Sequence, residues 1–285
     1  MDAELTIFYN DRKMPILYLV ATPIGNLEDV SFRALRVLKE VKLIAAEDTR
    51  RTRQLLAKYD IKTPLTSYYE HSRDSKLTFL LKFLETDDIA IVSEAGMPGI
   101  NDPSYNLVRG AIELGIRVCA IPGPSVIPTA LAVSGLPANQ FLYLGFLPRK
   151  EGERKRLLDS ISGQPWTIVI LEAPHRLIKS LTNCAGVLGD RRIAVCRELT
   201  KVYEEIFRGT ISQAITHFPQ PKGEFTLVIE GNTSGKAADE ITDSLKKELR
   251  RLRNEGVPAK EAITQLAGKT GISKKTLYRA WLNLP

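Results

Sequence analysis

Two loops dense in glycine and proline, close together in the chain, limit what this sequence can fold into. The first, Ser93-Glu94-Ala95-Gly96-Met97-Pro98-Gly99-Ile100-Asn101-Asp102-Pro103, follows the apolar run Ile89-Ala90-Ile91-Val92. The second, Pro122-Gly123-Pro124-Ser125, follows the strand-like segment Arg117–Ile121. Short apolar runs bounded by turn residues read as buried strands. The span between the loops has room for one helix, begun by Asn101-Asp102-Pro103 and stopped after Leu114 by Gly115. The chain must therefore wind strand, helix, strand, with both loops at the carboxyl ends of neighbouring strands. Open α/β sheets bind small ligands there. Two such loops so close in sequence point to a ligand held by main-chain groups.

The same alternation extends in both directions. Residues 16–21 read as a buried strand, followed by the turn Thr22-Pro23-Ile24-Gly25-Asn26 and a helix capped by Asp29 or Ser31. Leu43–Ala46 is a strand ending in Glu47-Asp48-Thr49-Arg50; helices follow at 51–58 and 75–85, and a strand at 89–93. Pro128 fits the first turn of a helix after the second loop. A strand at 141–144 leads to Phe146-Leu147-Pro148-Arg149-Lys150-Glu151-Gly152, whose proline, glycine and charge mark a domain boundary. Beyond it, helices are expected at 153–161, 175–188 and 211–217, and strands at 167–171, 193–197, 204–208 and 224–229. Successive strands after Arg192 allow hairpins, so this second sheet is expected to be mixed. The expected fold class is α/β: residues 1–146 and 147–231 form two α/β domains, and residues 239–285 a small helical module.

Composition matters chiefly for the placement of charge. The net charge is +7, and residues 246–285 hold ten Lys/Arg against three acids, so the entire excess lies there. Segregated basic charge is an electrostatic footprint for nucleic acid. After the flexible composition of Gly231-Asn232-Thr233-Ser234-Gly235-Lys236, helical patterns occupy 241–253, 259–269 and 274–282. The last two flank Thr270-Gly271-Ile272-Ser273, with Ser273 as N-cap, and resemble a helix-turn-helix whose second helix carries Lys274, Lys275 and Arg279. Packing of these helices on the main body or on a second copy is the alternative. Cys119, Cys184 and Cys196 are odd in number and lack metal-ligand spacing, so they read as reduced thiols of a cytoplasmic protein. No apolar run approaches a membrane span, and the first residues do not read as a signal peptide.

No P-loop, no GxGxxG after a strand and no HExxH occurs, so kinase, dinucleotide-dehydrogenase and zinc-hydrolase readings lack their usual support. Polar clusters instead stand at three strand ends: Glu47-Asp48-Thr49-Arg50, Glu172-Ala173-Pro174-His175-Arg176 and Arg197-Glu198-Leu199-Thr200. Together with the two loops they could line one cleft. Glu47, Asp48 and Glu198 are unranked candidates for a general base. Arg50, Arg176 and Arg197 are candidate phosphate clamps, because guanidinium meets phosphate bidentately.

These motifs resemble, in order, those of the tetrapyrrole-methylase superfamily. They are Thr22-Pro23-Ile24-Gly25-Asn26-Leu27, Ala46-Glu47-Asp48-Thr49-Arg50, Ser93-Glu94-Ala95-Gly96-Met97-Pro98, Asn101-Asp102-Pro103 and Ile121-Pro122-Gly123-Pro124-Ser125. Gly145-Phe146-Leu147-Pro148, Glu172 with His175-Arg176, Arg197-Glu198-Leu199-Thr200-Lys201 and Gly223-Glu224-Phe225-Thr226 agree, over about residues 16–230. The pattern is most similar to members that methylate the ribose 2′-oxygen of a cytidine in bacterial small-subunit ribosomal RNA. The resemblance implies a homodimer that uses S-adenosylmethionine and no metal, acts on small-subunit ribosomal RNA, and holds the donor between its two domains. By position, donor contacts would come from Pro23, Ala95, Gly96, Met97, Ile100, Ser125 and Val126, with Leu171, Leu199 and Thr226 closing the site. Glu94, Met97 and Ser104 depart from the family pattern, which favours Asp, a small hydroxyl residue and Gly there. A tetrapyrrole or protein side-chain methyltransferase of the same superfamily is the alternative, and a ligand-sensing nucleic-acid-binding regulator the second.

Overall fold

The computed structural model describes residues 15–69, 74–232, 241, 243–270, 272 and 274–284. Ser273 and the expected linker from residue 233 onward lie outside the described residues.

The first sheet comprises β1 (Ile16–Val20), β2 (Leu43–Ala46), β3 (Leu65–Ser67), β4 (Ile89–Val92) and β5 (Arg117–Ile121). Its order is β3-β2-β4-β1-β5 and every pairing is parallel. The strands read as continuous apolar runs because both faces are covered. Side chains alternate across the sheet. Tyr18, Val20, Ile44, Ala90 and Val92 meet Ala34, Val37, Leu38, Leu55 and Leu56 on one face. Leu17, Leu19, Leu43, Ile89 and Ile91 meet Leu80, Leu84, Leu107 and Ala111 on the other. Of the two caps considered for the helix Phe32–Glu40, Ser31 serves: its side chain accepts a hydrogen bond from the Ala34 N–H at 3.1 Å. β3 is an addition to the expected elements. It is a three-residue edge strand, Leu-Thr-Ser, with no apolar run to announce it, and its pairing with β2 defines it.

The second sheet runs β6 (Phe141–Phe146), β7 (Thr167–Glu172), β10 (Phe225–Ile229), β8 (Arg192–Arg197), β9 (Glu205–Thr210). β6 and β7 are parallel and the other pairings antiparallel, so the sheet is mixed. One face packs on helices Glu151–Ser160, Leu177–Leu188 and Ile211–His217 through Leu158, Leu177, Leu181 and Ile211. The other face receives a helix from the first half of the chain. Helix Val126–Ser134, which leaves the second glycine-proline loop, sets Ile127, Ala130 and Leu131 against Val169, Ala194, Cys196 and Val228. The pairing of β6 with β7 shifts register between Tyr143 and Phe146, around Gly145 at φ +61°. A Cβ at Gly145 would lie 2.9 Å from Asn101 Oδ1, so glycine is what lets the first loop approach this strand.

Helices Asp243–Asn254, Ala259–Thr270 and Lys274–Leu282 share a core of their own: Leu245, Leu249, Leu252, Ile263, Leu266, Ile272, Leu277 and Leu284. No helix among the described residues is long and apolar enough to cross a membrane.

Leu131 sits in the core that helix Val126–Ser134 shares with the second sheet and is 5% exposed. Leu131→Ala should destabilise the protein by about 2–5 kcal/mol, through reduced burial and the cavity left behind. Urea unfolding would measure it, with far-ultraviolet circular dichroism checking that both sheets still form.

Candidate active site

The carboxyl ends of β1, β2 and β4 face the ends of β7 and β10 and the start of the loop after β8 across a hollow of about 420 Å³. The first sheet supplies Ile24, Glu47, Ser93, Glu94, Ala95, Ile100 and Asn101, and the helix packed on the second sheet supplies Val126. The second supplies Leu171, Glu172, Cys196, Glu198, Leu199, Glu224 and Thr226. The first loop is pinned to the turn after β1 by an isolated antiparallel bridge. In it the Thr22 N–H donates to the Gly96 carbonyl at 2.9 Å and the Gly96 N–H donates to the Thr22 carbonyl at 3.0 Å. Gly96 sits at φ +80°, a conformation natural to glycine, and its missing Cβ would be 3.8 Å from Ser125 Cα. The two glycine-proline loops therefore meet at Gly96 and Ser125.

Opposite them, Glu198 lies in a left-handed conformation at φ +49°, as does Thr200 at +67°. Non-glycine residues held there typically cost about 1–3 kcal/mol and cluster at functional sites. The Glu198 conformation is clamped from all sides. Its N–H donates to the Glu224 carbonyl at 2.9 Å, and its Oε1 accepts from the Glu224 N–H at 2.8 Å and from Lys201 Nζ at 2.9 Å. Gly223 makes room: a Cβ there would stand 2.5 Å from Glu198 Cγ. Burial pushes the Glu198 carboxyl up, but the Glu224 N–H and the Lys201 ammonium outweigh it and hold the group below the usual carboxylate range. Burial likewise opposes charge on Lys201, whereas the Glu224 and Glu198 carboxylates raise its value on balance.

Charges tie the halves together. Arg51 Nη2 lies 3.0 Å from Glu94 and 3.7 Å from Glu224, one acid from each half of the chain. Within the second half, Lys201 Nζ reaches the same Glu224 at 2.9 Å. The Glu94 N–H donates to Glu47 Oε2 at 3.0 Å, turning that carboxylate into the cleft wall. Gly25 lets the turn after β1 touch the Leu199–Thr200–Lys201 loop, since a Cβ there would be 2.9 Å from the Leu199 carbonyl oxygen.

Of the residues singled out by sequence, Glu47, Glu198, Ala95, Ile100, Val126, Leu171, Leu199 and Thr226 line this cleft. Pro23 lines a smaller neighbouring hollow. Met97 turns its side chain into the core beneath the first sheet, leaving only its main chain for a ligand. Asp48 caps the helix Thr49–Lys58, accepting from the Arg50 and Arg51 N–H groups at 2.7 and 3.4 Å. The Arg50 N–H foremost holds its carboxyl below the ordinary value. Arg176 lies against the fully buried Glu172 carboxylate at 3.2 Å and donates to the Leu147 carbonyl, so its guanidinium braces the Gly145-Phe146-Leu147-Pro148 turn. Arg197 is taken up by Glu205 at 3.1 Å and the Lys222 carbonyl at 2.7 Å. Arg50 is exposed, paired with Asp48 at 3.5 Å. Lys274, Lys275 and Arg279 belong to the last helix, with Lys274 and Arg279 exposed. Sequence reasoning assigns no site role to Arg51, Glu94, Lys201 or Glu224. Glu94, Lys201 and Glu224 stand inside recognised motifs, and that adjacency is the one available signal.

The lining suits a cationic ligand. Glu47, Glu94, Asp102, Glu198 and Glu224 stand against Arg51 and Lys201, while the Glu172 carboxylate is taken up by Arg176. A sulfonium donor fits acids and apolar walls; a free polyphosphate does not. Burial pushes the Cys196 thiol, which lines the cleft, up to about 11, so no thiolate nucleophile is on offer near neutrality.

A family model described as Tetrapyrrole (Corrin/Porphyrin) Methylases matches residues 16–215. A curated protein named Ribosomal RNA small subunit methyltransferase I, from Halalkalibacterium halodurans, is 44% identical over 272 residues, 93% of this chain and 94% of its own. One of the same name from Synechocystis sp. is 45% identical over 275 residues, 95% of this chain and 99% of its own. Another from Thermotoga maritima is 49% identical over 218 residues, 75% of this chain but 98% of its own. Among solved structures, uroporphyrin-III-C-methyltransferase from Thermus thermophilus superposes with a TM-score of 0.54 at 19% identity, over 75% of this chain and 94% of that one. Diphthine synthase gives 0.59 at 11% identity, over 76% and 90%. At these identities the structural likeness speaks to the fold alone.

The Glu198 carboxyl, held below its unfolded value of about 4.3, contributes stability that is fully present above that value. The contribution is lost as pH falls through the folded value. Glu198→Gln should therefore melt below the parent at pH 7, with the gap narrowing as pH falls below about 4. Thermal melts between pH 3 and 7 check it; a constant offset down to pH 3 would mean that the carboxylate charge is not what stabilises the loop.

Proposed function

The chain belongs to the tetrapyrrole (corrin/porphyrin) methylase family, and from that premise we propose that it methylates the ribose 2′-oxygen of a cytidine in small-subunit ribosomal RNA. One observation carries the reading: identity of 44–45% across 93–95% of the chain to proteins named for methylating small-subunit ribosomal RNA. S-adenosylmethionine is the donor and supplies a methyl group on a positively charged sulfur that departs as a neutral thioether.

The chain's own residues do four things. The main chain of the loops at 93–100 and 122–126 holds the donor, with Leu171, Leu199 and Thr226 covering it from the second sheet. The Arg51–Glu224 pair, backed by Glu94 on one side and Lys201 on the other, spans the cleft and fixes its two walls for orienting the reactants, which is most of what an already activated methyl group requires. A carboxylate takes the proton that the hydroxyl must lose. Glu47 and Glu198 line the cleft and fit that role, while Asp48 is engaged as a helix cap. Arg50 and the basic face of the last helix, with Lys274, Lys275 and Arg279, attract the RNA backbone. The protein works as a homodimer in the cytoplasm, without a metal. The Thermotoga maritima relative, nearly all of which is matched by 75% of this chain, supports a catalytic unit that stands without a quarter of the present sequence.

Purified protein with labelled S-adenosylmethionine should label unmethylated small subunits or their RNA and leave a tetrapyrrole acceptor unlabelled. The label should resist alkaline hydrolysis, because methylation removes the attacking 2′-hydroxyl. Label on the tetrapyrrole instead would replace the reading. Whichever of Glu47→Gln and Glu198→Gln removes the base should slow single-turnover transfer by about 10²–10⁴-fold with donor affinity kept.

Removing residues 239–285 should leave donor binding intact and weaken RNA binding. For every phosphate that the truncated protein no longer neutralises, the salt slope should flatten by about 0.7–0.9. Binding titrations against salt, with sedimentation to follow the dimer, would check it. A lowered melting temperature or a dissociated dimer with the salt slope unchanged would assign the helices to packing.

A further inference from the structure

Beside the main cleft lies a second hollow of about 240 Å³. It shares Ile24, Arg51, Ser93, Glu94, Ala95 and Lys201 with the larger one, so the two are separated by a single wall. The division of expected donor contacts between them is uneven. Ala95, Ile100, Val126, Leu171, Leu199 and Thr226 line the larger; Pro23 and the shared Ala95 line the smaller. The smaller hollow falls below the roughly 300 Å³ at which pockets for drug-sized ligands begin. It suits one unit of a larger ligand.

Its own walls combine a flat apolar part with polar groups. Pro23, Leu27 and Leu55 give the apolar surface, and Gln54 on the exposed side of helix Thr49–Lys58 gives an amide. Thr22 contributes the informative group. It is 6% exposed, and its Oγ1 is buried with no hydrogen-bond partner among the described residues. A buried hydroxyl left unpaired costs about 1–3 kcal/mol, and such groups in native proteins have a reason. The Thr22 main chain is fully used in its bridge to Gly96, so the turn is held by the backbone and does not need this hydroxyl. Arg51 and Lys201 stand at the shared wall, both cationic and each paired to an acid.

We propose that the smaller hollow is the acceptor pocket, taking one unpaired nucleoside of the RNA and presenting its ribose at the wall shared with the donor cleft. The inference rests on the RNA-methylating reading above. The base lies against Pro23, Leu27 and Leu55, the Thr22 hydroxyl and Gln54 amide meet its polar edge, and Arg51 and Lys201 face the ribose-phosphate. A nucleotide inside a helix cannot reach such a pocket, so the target is taken out of its stack, as enzymes acting within nucleic-acid helices require.

Two variants of the full-length protein test it. Gln54→Trp fills the hollow from an exposed position, and Thr22→Val removes only the unpaired hydroxyl. Binding of S-adenosylhomocysteine, read by calorimetry, should stay within about twofold in both, while single-turnover methylation of unmethylated small subunits falls about tenfold or more, the equivalent of one hydrogen bond to a bound group. Thr22→Val should melt no lower than the parent, a result that a merely structural hydroxyl would not give. Cytidine 5′-monophosphate, added to the S-adenosylhomocysteine-loaded protein, should show saturation-transfer signals that Gln54→Trp abolishes. Equal losses of S-adenosylhomocysteine and RNA function would make the hollow part of the donor site and overturn the proposal. So would unchanged methylation, or no nucleotide signal with the parent. A parent that binds the nucleotide here, loses it in Gln54→Trp, yet methylates no ribosomal RNA would overturn the proposed reaction and leave the nucleoside pocket standing.

Discussion

Burial of helix Val126–Ser134 against the second sheet is the contact on which the site depends. The helix begins at Ser125, at the end of a loop from the first sheet, and ends at Gly135 in a left-handed conformation before the chain enters the second half. Its apolar side therefore belongs to a core made by strands that come later in the sequence. Ile127, Ala130 and Leu131 are at most 9% exposed there. Apart from that packing, the halves are joined by Ile24, which packs on the same core, and by polar contacts at the cleft rim such as Arg51–Glu224, which are worth little in water. With it, the loop ending at Ser125 is fixed relative to Leu171, Leu199 and Thr226, and a cleft of defined width exists between them.

Close approaches made by glycine complete the fit. Gly25, Gly145 and Gly223 each stand where a Cβ would meet another segment at 2.9 Å or less. Two of these approaches, Gly25 to the Leu199–Thr200–Lys201 loop and Gly145 to Asn101, cross between the halves. The third keeps Glu198 in its clamp. The loops can thus be near one another without long side chains to fill the gap, and the space left over is the ligand's.

Electrostatics then distinguish one part of the cleft from another. Carboxylates outnumber bases in the larger hollow, which favours a cationic donor, and the two bases Arg51 and Lys201 sit at the wall it shares with the smaller one. That placement separates a region suited to a sulfonium from a region suited to a nucleotide. Glu172 and Arg176 show how sequence position can mislead here. Both stand at a strand end among recognised motif residues, but the pair is turned inward, where it carries the Leu147 turn.

Much of this is legible in the chain itself. Period-two and period-3.6 apolar patterns, glycine-proline loops after short strands and the segregated basic tail depend only on local chemistry, so the two α/β halves, the helical tail and the loops at 93–103 and 122–125 can be read directly. The edge strand Leu65–Ser67 cannot, because three residues without an apolar run become a strand only through the partner they pair with. The division of labour among charges is equally hidden. Arg50 and Arg51 are indistinguishable as neighbours in sequence, yet Arg51 links Glu94 to Glu224, acids far apart in the chain, whereas Arg50 returns to Asp48. Asp48 beside Glu47 caps a helix while Glu47 faces the cleft. Residue type sets what a side chain can do: Asp48 finds its cap locally, whereas the reach of Arg51 to Glu224 is decided by how the two halves pack, a long-range interaction that no local pattern encodes.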